Sequence, residues 1–155
     1  MPNLVGVISD THGLMRDEAL RQLADVDLII HAGDVGKPAV LDALRQIAPV
    51  HAVRGNVDTG AWAEPLPATM VIQVESARLF VLHSLADLKV DALARGFSAV
   101  ISGHSHKAHQ EVRDGVLYLN PGSAGPRRFR LPLTVARLIV DGERVRGEIV
   151  PLAVE

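Results

Sequence analysis

An order of residues that recurs five times between positions 4 and 106 constrains this chain most: an apolar run, a glycine or turn, then a metal-ligand side chain. Asp10-Thr11-His12 follows residues 4–8, Gly33-Asp34 follows 28–32, and Gly55-Asn56 follows 51–53. His83 ends the run 79–82, and Gly103-His104-Ser105-His106 follows 99–101. Open α/β sheets collect the carboxyl ends of their strands along one edge, where ligands bind. Residues far apart in sequence are therefore expected to meet at one site. Oxygen and imidazole donors without thiolate suit Mn, Fe, Zn, Ni or Co.

The runs between these groups set the fold class. Residues 4–9 and 28–32 are apolar on both faces, as buried parallel strands require. Residues 16–24 place Ala19, Leu20, Leu23 and Ala24 at helical spacing. Pro38 suits the first position of a helix whose apolar face is Val40, Leu41, Leu44 and Ile47, and Pro49 ends it. This βαβαβ unit predicts right-handed crossovers and a parallel core.

After Asn56 the texture becomes β-rich. Residues 60–67 read as a surface loop, and 68–74 with 78–82 as paired strands about Glu75-Ser76. Residues 87–95 predict a helix closed by Gly96. Asp114-Gly115 and Gly142-Glu143 are two-residue hairpin signals between 110–113 and 116–119, and between 132–141 and 144–151. The expected architecture is an α/β chain folded as a four-layer α-β-β-α sandwich of two mixed sheets, in one domain over 1–155.

Composition narrows the function. Aromatics make up 3% and net charge is −2, so neither a stacking platform nor a basic field for nucleic acid is present. With no cysteines, disulfides and thiolate metal sites are excluded. No apolar run reaches membrane-spanning length, and Asp10 interrupts the first one, so a cytoplasmic location without membrane contact is expected.

Taken singly, these residues have duller readings. Asp10 could be a helix N-cap, Asn56 a turn residue, His83 a hydrogen-bonded core histidine, and His104 and His106 surface groups. Five coincidences in order are harder to accept than one metal site. His104 and His106 alternate, so they face different ions only if the chain turns after Gly103. His31 is a candidate to orient Asp34, with a structural role as the alternative, while His51 and His109 read as structural or exposed.

In order, spacing and flanking strands, Asp10-Thr11-His12, Gly33-Asp34, Gly55-Asn56, His83 and Gly103-His104-Ser105-His106 resemble the calcineurin-like metallophosphoesterase superfamily. Ser9–Gly13, Arg54–Asp58 and Asn120–Ser123 resemble its small YfcE/MJ0936-type phosphodiesterases. The resemblance implies two divalent metal ions, with Mn²⁺ the first candidate and Ni²⁺, Fe, Zn²⁺ or Co²⁺ alternatives. Asp10, His12 and His106 would hold one ion, and Asn56, His83 and His104 the other, with Asp34 bridging through two oxygens. Asp34, Asn56 and His104 would be the catalytic residues, and hydrolysis of a small phosphodiester would proceed through a metal-bridging hydroxide. Arg54, Asp58 and Arg127 are the candidate substrate contacts.

Two departures bear on chemistry. Larger members have histidine after the Gly-Asn pair, a candidate acid for the leaving group, where this chain has Val57. Subfamily members read His-Gly-His where this chain reads His83-Ser84-Leu85. Alternatives are a phosphomonoesterase, or a non-catalytic interaction module on the same scaffold, as in the retromer subunit Vps29. A homodimer face is offered by the Ala61-Trp62 loop and the C-terminal hairpin.

Overall fold

Strand β1 (Asn3–Ile8) is apolar on both faces, and the computed structural model, which describes residues 3–128 and 130–154, covers both. On one side Val5 and Val7 meet the second sheet; on the other Ile8 packs beneath the helices. The helices are α1 (Asp17–Gln22) and α2 (Pro38–Arg45), the latter begun by Pro38 and burying Val40, Leu41 and Leu44. Both α-helices are shorter than the periodic stretches that predict them.

The remaining strands are β2 (Leu28–His31), β3 (Val50–Ala52), β4 (Thr69–Val74), β5 (Ala77–Leu82), β6 (Ala99–Ile101), β7 (His109–Arg113), β8 (Val116–Asn120), β9 (Thr134–Asp141) and β10 (Arg144–Pro151). They form two five-stranded mixed sheets, ordered β10-β9-β1-β2-β3 and β4-β5-β6-β8-β7. In the first, β1, β2 and β3 are parallel and β9 is antiparallel to β1; in the second, β5, β6 and β8 are parallel. Val5, Ile30, Leu138 and Val140 pack against Ile72, Leu79, Ile101 and Leu119 in one core between the sheets. Both two-residue hairpins form at the predicted positions.

The fourth layer lies on the outer face of the second sheet and is irregular. Residues 87–95 do not form the predicted helix. A 3₁₀ turn at Leu85–Asp87 leads into extended chain, and Leu88, Val90 and Ala92 alternate inward onto Phe80, Val100 and Phe97. The Asp91 carboxylate then accepts the Ala94 N–H at 3.2 Å, and one turn closes at Gly96. Burial at every second residue outweighed helical propensity, and the Asp91 side chain competed for the backbone. Among the described residues no helix is long and apolar enough to cross a membrane.

Asp58, a predicted substrate contact, instead holds the fold together. It is buried, and its carboxylate accepts the N–H groups of Gly55 at 2.8 Å, Gly36 at 2.8 Å and Val35 at 3.1 Å. Its oxygens are thereby spent on tying the loop after β2 to the loop after β3. Asp58→Asn places an amide N–H₂ against backbone donors, and the expected loss is about 2–3 kcal/mol. Urea unfolding of the variant beside wild type measures it; an unchanged midpoint contradicts this role.

Candidate metal centre

Each parallel strand delivers its ligand at its carboxyl end, and the backbone there leaves its ordinary range. Among the described residues seven non-glycine residues have positive φ, and five are predicted ligands: Asp10 (57°), His12 (47°), Asp34 (56°), His104 (73°) and His106 (63°). Left-handed backbone turns a side chain out of the strand direction, and Asp and His tolerate it better than most residues. The turn required after Gly103 is present, with Ser105 N–H donating to the Gly103 carbonyl at 2.9 Å. Two glycines admit this crowding. A Cβ at Gly55 would lie 2.1 Å from Asp34 N, and one at Gly103 would lie 2.8 Å from Asp10 Oδ2.

Six of the seven predicted ligands gather into two groups, Asp10 with His12 and His106, and Asp34 with His83 and His104, the donor atoms of each lying within 4.8 Å of one another. Both carboxylates are divided in the same way. Asp10 Oδ2 accepts the Ser9 hydroxyl at 2.7 Å and the His104 N–H at 3.0 Å, while Asp10 Oδ1 is buried without a partner. Asp34 Oδ1 accepts the Val57 N–H at 3.0 Å. Its Oδ2 faces His83 Nε2 at 3.2 Å and His12 Nε2 at 3.6 Å, one histidine from each group. Asp34 thus turns one oxygen toward both groups and commits the other to the Val57 N–H.

These distances suit cations. Donors sharing an ion at about 2.1 Å stand roughly 3.0–3.5 Å apart. His12 Nε2 and His106 Nε2 are 3.2 Å apart, and His104 Nδ1 and His83 Nε2 are 3.3 Å apart. His83 Nδ1 donates to the Ala32 carbonyl at 2.8 Å, which turns Nε2 toward the carboxylates as a ligand needs. Burial by itself lowers the His83 pKa, but Asp34, the Ala32 carbonyl and Asp10 together raise it. The site thus draws positive charge to Nε2. Burial likewise opposes ionisation of Asp34, yet the contacts from His83 and Val57 N–H hold its carboxyl at about 2. Burial dominates at Asp10 and pushes its carboxyl up, and it pushes His106 down. The donor set fits two divalent cations.

The surrounding residues have clear tasks. His31 is fully buried, and its pKa is lowered to about 4 by that burial. Its Nδ1 accepts the Gly33 N–H at 3.1 Å, so Nε2 carries the proton and donates to Thr11 Oγ1 at 3.0 Å. The Thr11 hydroxyl in turn donates to the Val35 carbonyl at 2.9 Å. His31 therefore locks the Asp10-Thr11-His12 turn to the Gly33-Asp34 turn, with its hydrogen bonds going to Thr11 and Gly33 and none to the Asp34 carboxylate. The Asn120–Ser123 turn backs the same segment, with the Ser123 hydroxyl donating to the Asp10 carbonyl at 3.1 Å.

Of the other candidates, Asn56 is exposed and lines a cavity of about 210 Å³ together with His83 and Arg54. The Arg54 guanidinium donates to the Ala63 and Glu64 carbonyls at 3.2 and 2.9 Å, so it braces a loop. Arg127 donates to the Val154 carbonyl at 3.3 Å, away from the centre. Its neighbour Arg128 is the arginine whose charge acts on His106. Thr11, Ser9 and Arg128 received no role from the sequence; Ser9 and Thr11 were marked only by adjacency to Asp10, and Arg128 only by adjacency to Arg127.

Residues 4–143 match the calcineurin-like phosphoesterase superfamily domain. A probable metallophosphoesterase from Methanothermobacter thermautotrophicus is 35% identical over 159 residues, with 95% of this chain and 91% of that protein covered. The solved structure of a novel archaeal phosphodiesterase aligns with TM-score 0.78 at 22% identity, over 95% of this chain and 99% of that one. Wild-type Vps29 from Entamoeba histolytica, complexed with Zn²⁺, aligns with TM-score 0.74 at 23% identity, over 96% and 98%. At these identities the two structures speak for the fold. The family match spans all seven ligand positions, and this chain belongs to the calcineurin-like phosphoesterase superfamily, among its metallophosphoesterases.

Proposed function

We propose that this chain hydrolyses phosphodiesters at a dinuclear centre held by Asp10, His12, His106, Asp34, His83, His104 and Asn56. The observation that carries the reading is the division of the two carboxylates: each has one oxygen fixed by protein donors and the other turned to the ligand cluster. Two bound divalent cations supply charge for the phosphoryl oxygens and acidify water to a nucleophile near neutral pH.

The chain's own residues do the rest. Asp34, held ionised, balances charge between the two ligand groups. Asn56 adds a neutral oxygen donor, so two carboxylates against two divalent ions leave net positive charge for a phosphate. His104 and Asn56 are exposed while Asp10, Asp34, His83 and His106 are buried, so substrate approaches on the side of the former pair. Val57, 46% exposed beside them, carries no proton. An alkoxide of high pKa is then hard to expel, which favours diesters with good leaving groups. Cavities beside His104 and beside Asn56 and His83 give room for two substituents on phosphorus.

Manganese is the first metal to test, since the oxygen and imidazole set accepts it along with Ni²⁺, Fe, Zn²⁺ and Co²⁺. The Vps29 likeness supports a second reading, an interaction module. That neighbour was solved with Zn²⁺, so metal binding by itself does not separate the two; turnover does.

With added Mn²⁺, bis-p-nitrophenyl phosphate should be cleaved faster than p-nitrophenyl phosphate, and chelator should stop both. Asp34→Asn should lower diester turnover by about 10³-fold or more, a loss of roughly 4 kcal/mol of transition-state stabilisation, with an unchanged circular dichroism spectrum. Full activity in that variant removes the bridging role. His104→Ala should bind one metal per chain where wild type binds two, read by elemental analysis of dialysed protein. Two ions retained in the variant place the second site elsewhere.

A further inference from the structure

The irregular fourth layer leaves part of the second sheet's outer face open beside the metal centre. A cavity of about 400 Å³ begins at Ser84, Gly103 and His104 and extends over β7 and β8. One wall is Leu85 and Ala86 of the 3₁₀ turn; the other is Tyr118 and Arg113. Leu85 stands where the family resemblance calls for a histidine, so this wall is apolar in this chain. The Arg113 guanidinium lies over the Tyr118 ring, 4.9 Å from its centroid, and its Nε is held by Glu111. Its contribution is thus a flat surface more than a free charge. Lys107 also lines the cavity and has no carboxylate partner among the described residues, and no acidic side chain is among the lining groups.

These features select an occupant. The exposed lining is mostly apolar and the Asn120 amide is spent on Gly103 and Ser105, so a polyol would leave hydroxyls against Leu85, Ala86 and the Tyr118 ring, and a quaternary ammonium group would meet Lys107. A planar ring can lie against the Tyr118–Arg113 surface and the apolar turn while its polar edge reaches Lys107. Arginine planes and aromatic faces accept rings in this way regardless of ring identity. The cavity opens at His104, within the proposed centre, so a group attached to the phosphate enters it without leaving the ligand cluster.

We propose that this cavity is a subsite for one ester substituent of the substrate, and that it takes an aromatic or heteroaromatic group such as a nucleoside. The assignment rests on the phosphodiesterase reading. It makes Tyr118, Ala86 and Lys107 specificity residues, and it assigns Leu85 the apolar wall.

Two diesters with the same leaving group test it: thymidine 5′-(p-nitrophenyl phosphate) and methyl p-nitrophenyl phosphate, with Mn²⁺. Wild type should prefer the thymidine ester in kcat/KM by about tenfold or more, the scale of one stacked ring, chiefly through KM. Ala86→Trp fills the cavity from an exposed position, and Tyr118→Leu removes the flat surface while keeping an apolar side chain. In either variant the ratio of the two kcat/KM values should fall toward one. Equal use of both esters by wild type, or a preference that survives both variants, overturns the subsite. Should neither ester be cleaved with metal bound, the hydrolase reading fails. The subsite is then judged by calorimetric titration of thymidine 5′-monophosphate beside methyl phosphate: tighter nucleotide binding that Ala86→Trp abolishes sustains it, and equal binding ends it.

Discussion

Everything at this site depends on how two buried carboxylates are satisfied. Asp10 and Asp34 lie at the ends of adjacent parallel strands, and each is half committed to the protein. A buried carboxylate oxygen without a partner is costly, and an uncompensated pair of like charges more so. The fold accepts that arrangement because the free oxygens share three imidazoles, those of His12, His83 and His106, with Asp34 reaching one histidine of each group. The opposite directions of their pKa shifts express this. Asp10, the deeper group, is pushed toward its neutral form by burial; Asp34 is held ionised by His83 and a backbone N–H despite burial. Positive charge entering the cluster would relieve both, so a cation bound there would also stabilise the fold.

Five ligands in left-handed backbone add to the cost, about 1–2 kcal/mol each for a residue bearing a Cβ. Such strain persists only where the surroundings over-determine it. Here Asp58 clamps the loops after β2 and β3 by three N–H bonds, His31 and Thr11 clamp the loop after β1 to the loop after β2, and Ser123 backs Asp10. The glycines at 55 and 103 let those loops come within contact of the carboxylates. The inter-sheet core and the helix-covered face of the first sheet are regular, which leaves the irregular backbone to one edge and the fourth layer.

What the sequence made legible follows from this division. The convergence of the candidate ligands could be foreseen because each sits just past an apolar run, and strand ends converge by topology regardless of fine geometry. The hairpins at Asp114-Gly115 and Gly142-Glu143 were legible because turn chemistry is local. Side-chain direction was not. Asp58, Arg54 and Arg127 each lie within a few residues of a ligand or its supporting turn, yet all three spend their polar atoms on backbone groups. Closeness in sequence fixes where a Cα stands; positive φ and loop packing decide where the side chain goes. The helix over 87–95 failed for a related reason, since Leu88, Val90 and Ala92 satisfy an alternating burial pattern once a sheet lies beneath them.

The two sides of the centre are therefore under different physical constraints. On the buried side, a change in any ligand or clamp disturbs several hydrogen bonds at once, and few sequences meet all the demands. On the open side, Asn56, Val57, His104 and the turn at Leu85–Asp87 are more exposed, with fewer contacts to lose. Substitutions at Val57 and in that turn alter what meets the centre without unsettling what holds it. A fold shared by an archaeal phosphodiesterase and a Zn²⁺-bound Vps29 is consistent with that freedom. The positions of this chain freest to change are therefore the apolar wall beside His104 and the uncharged Val57.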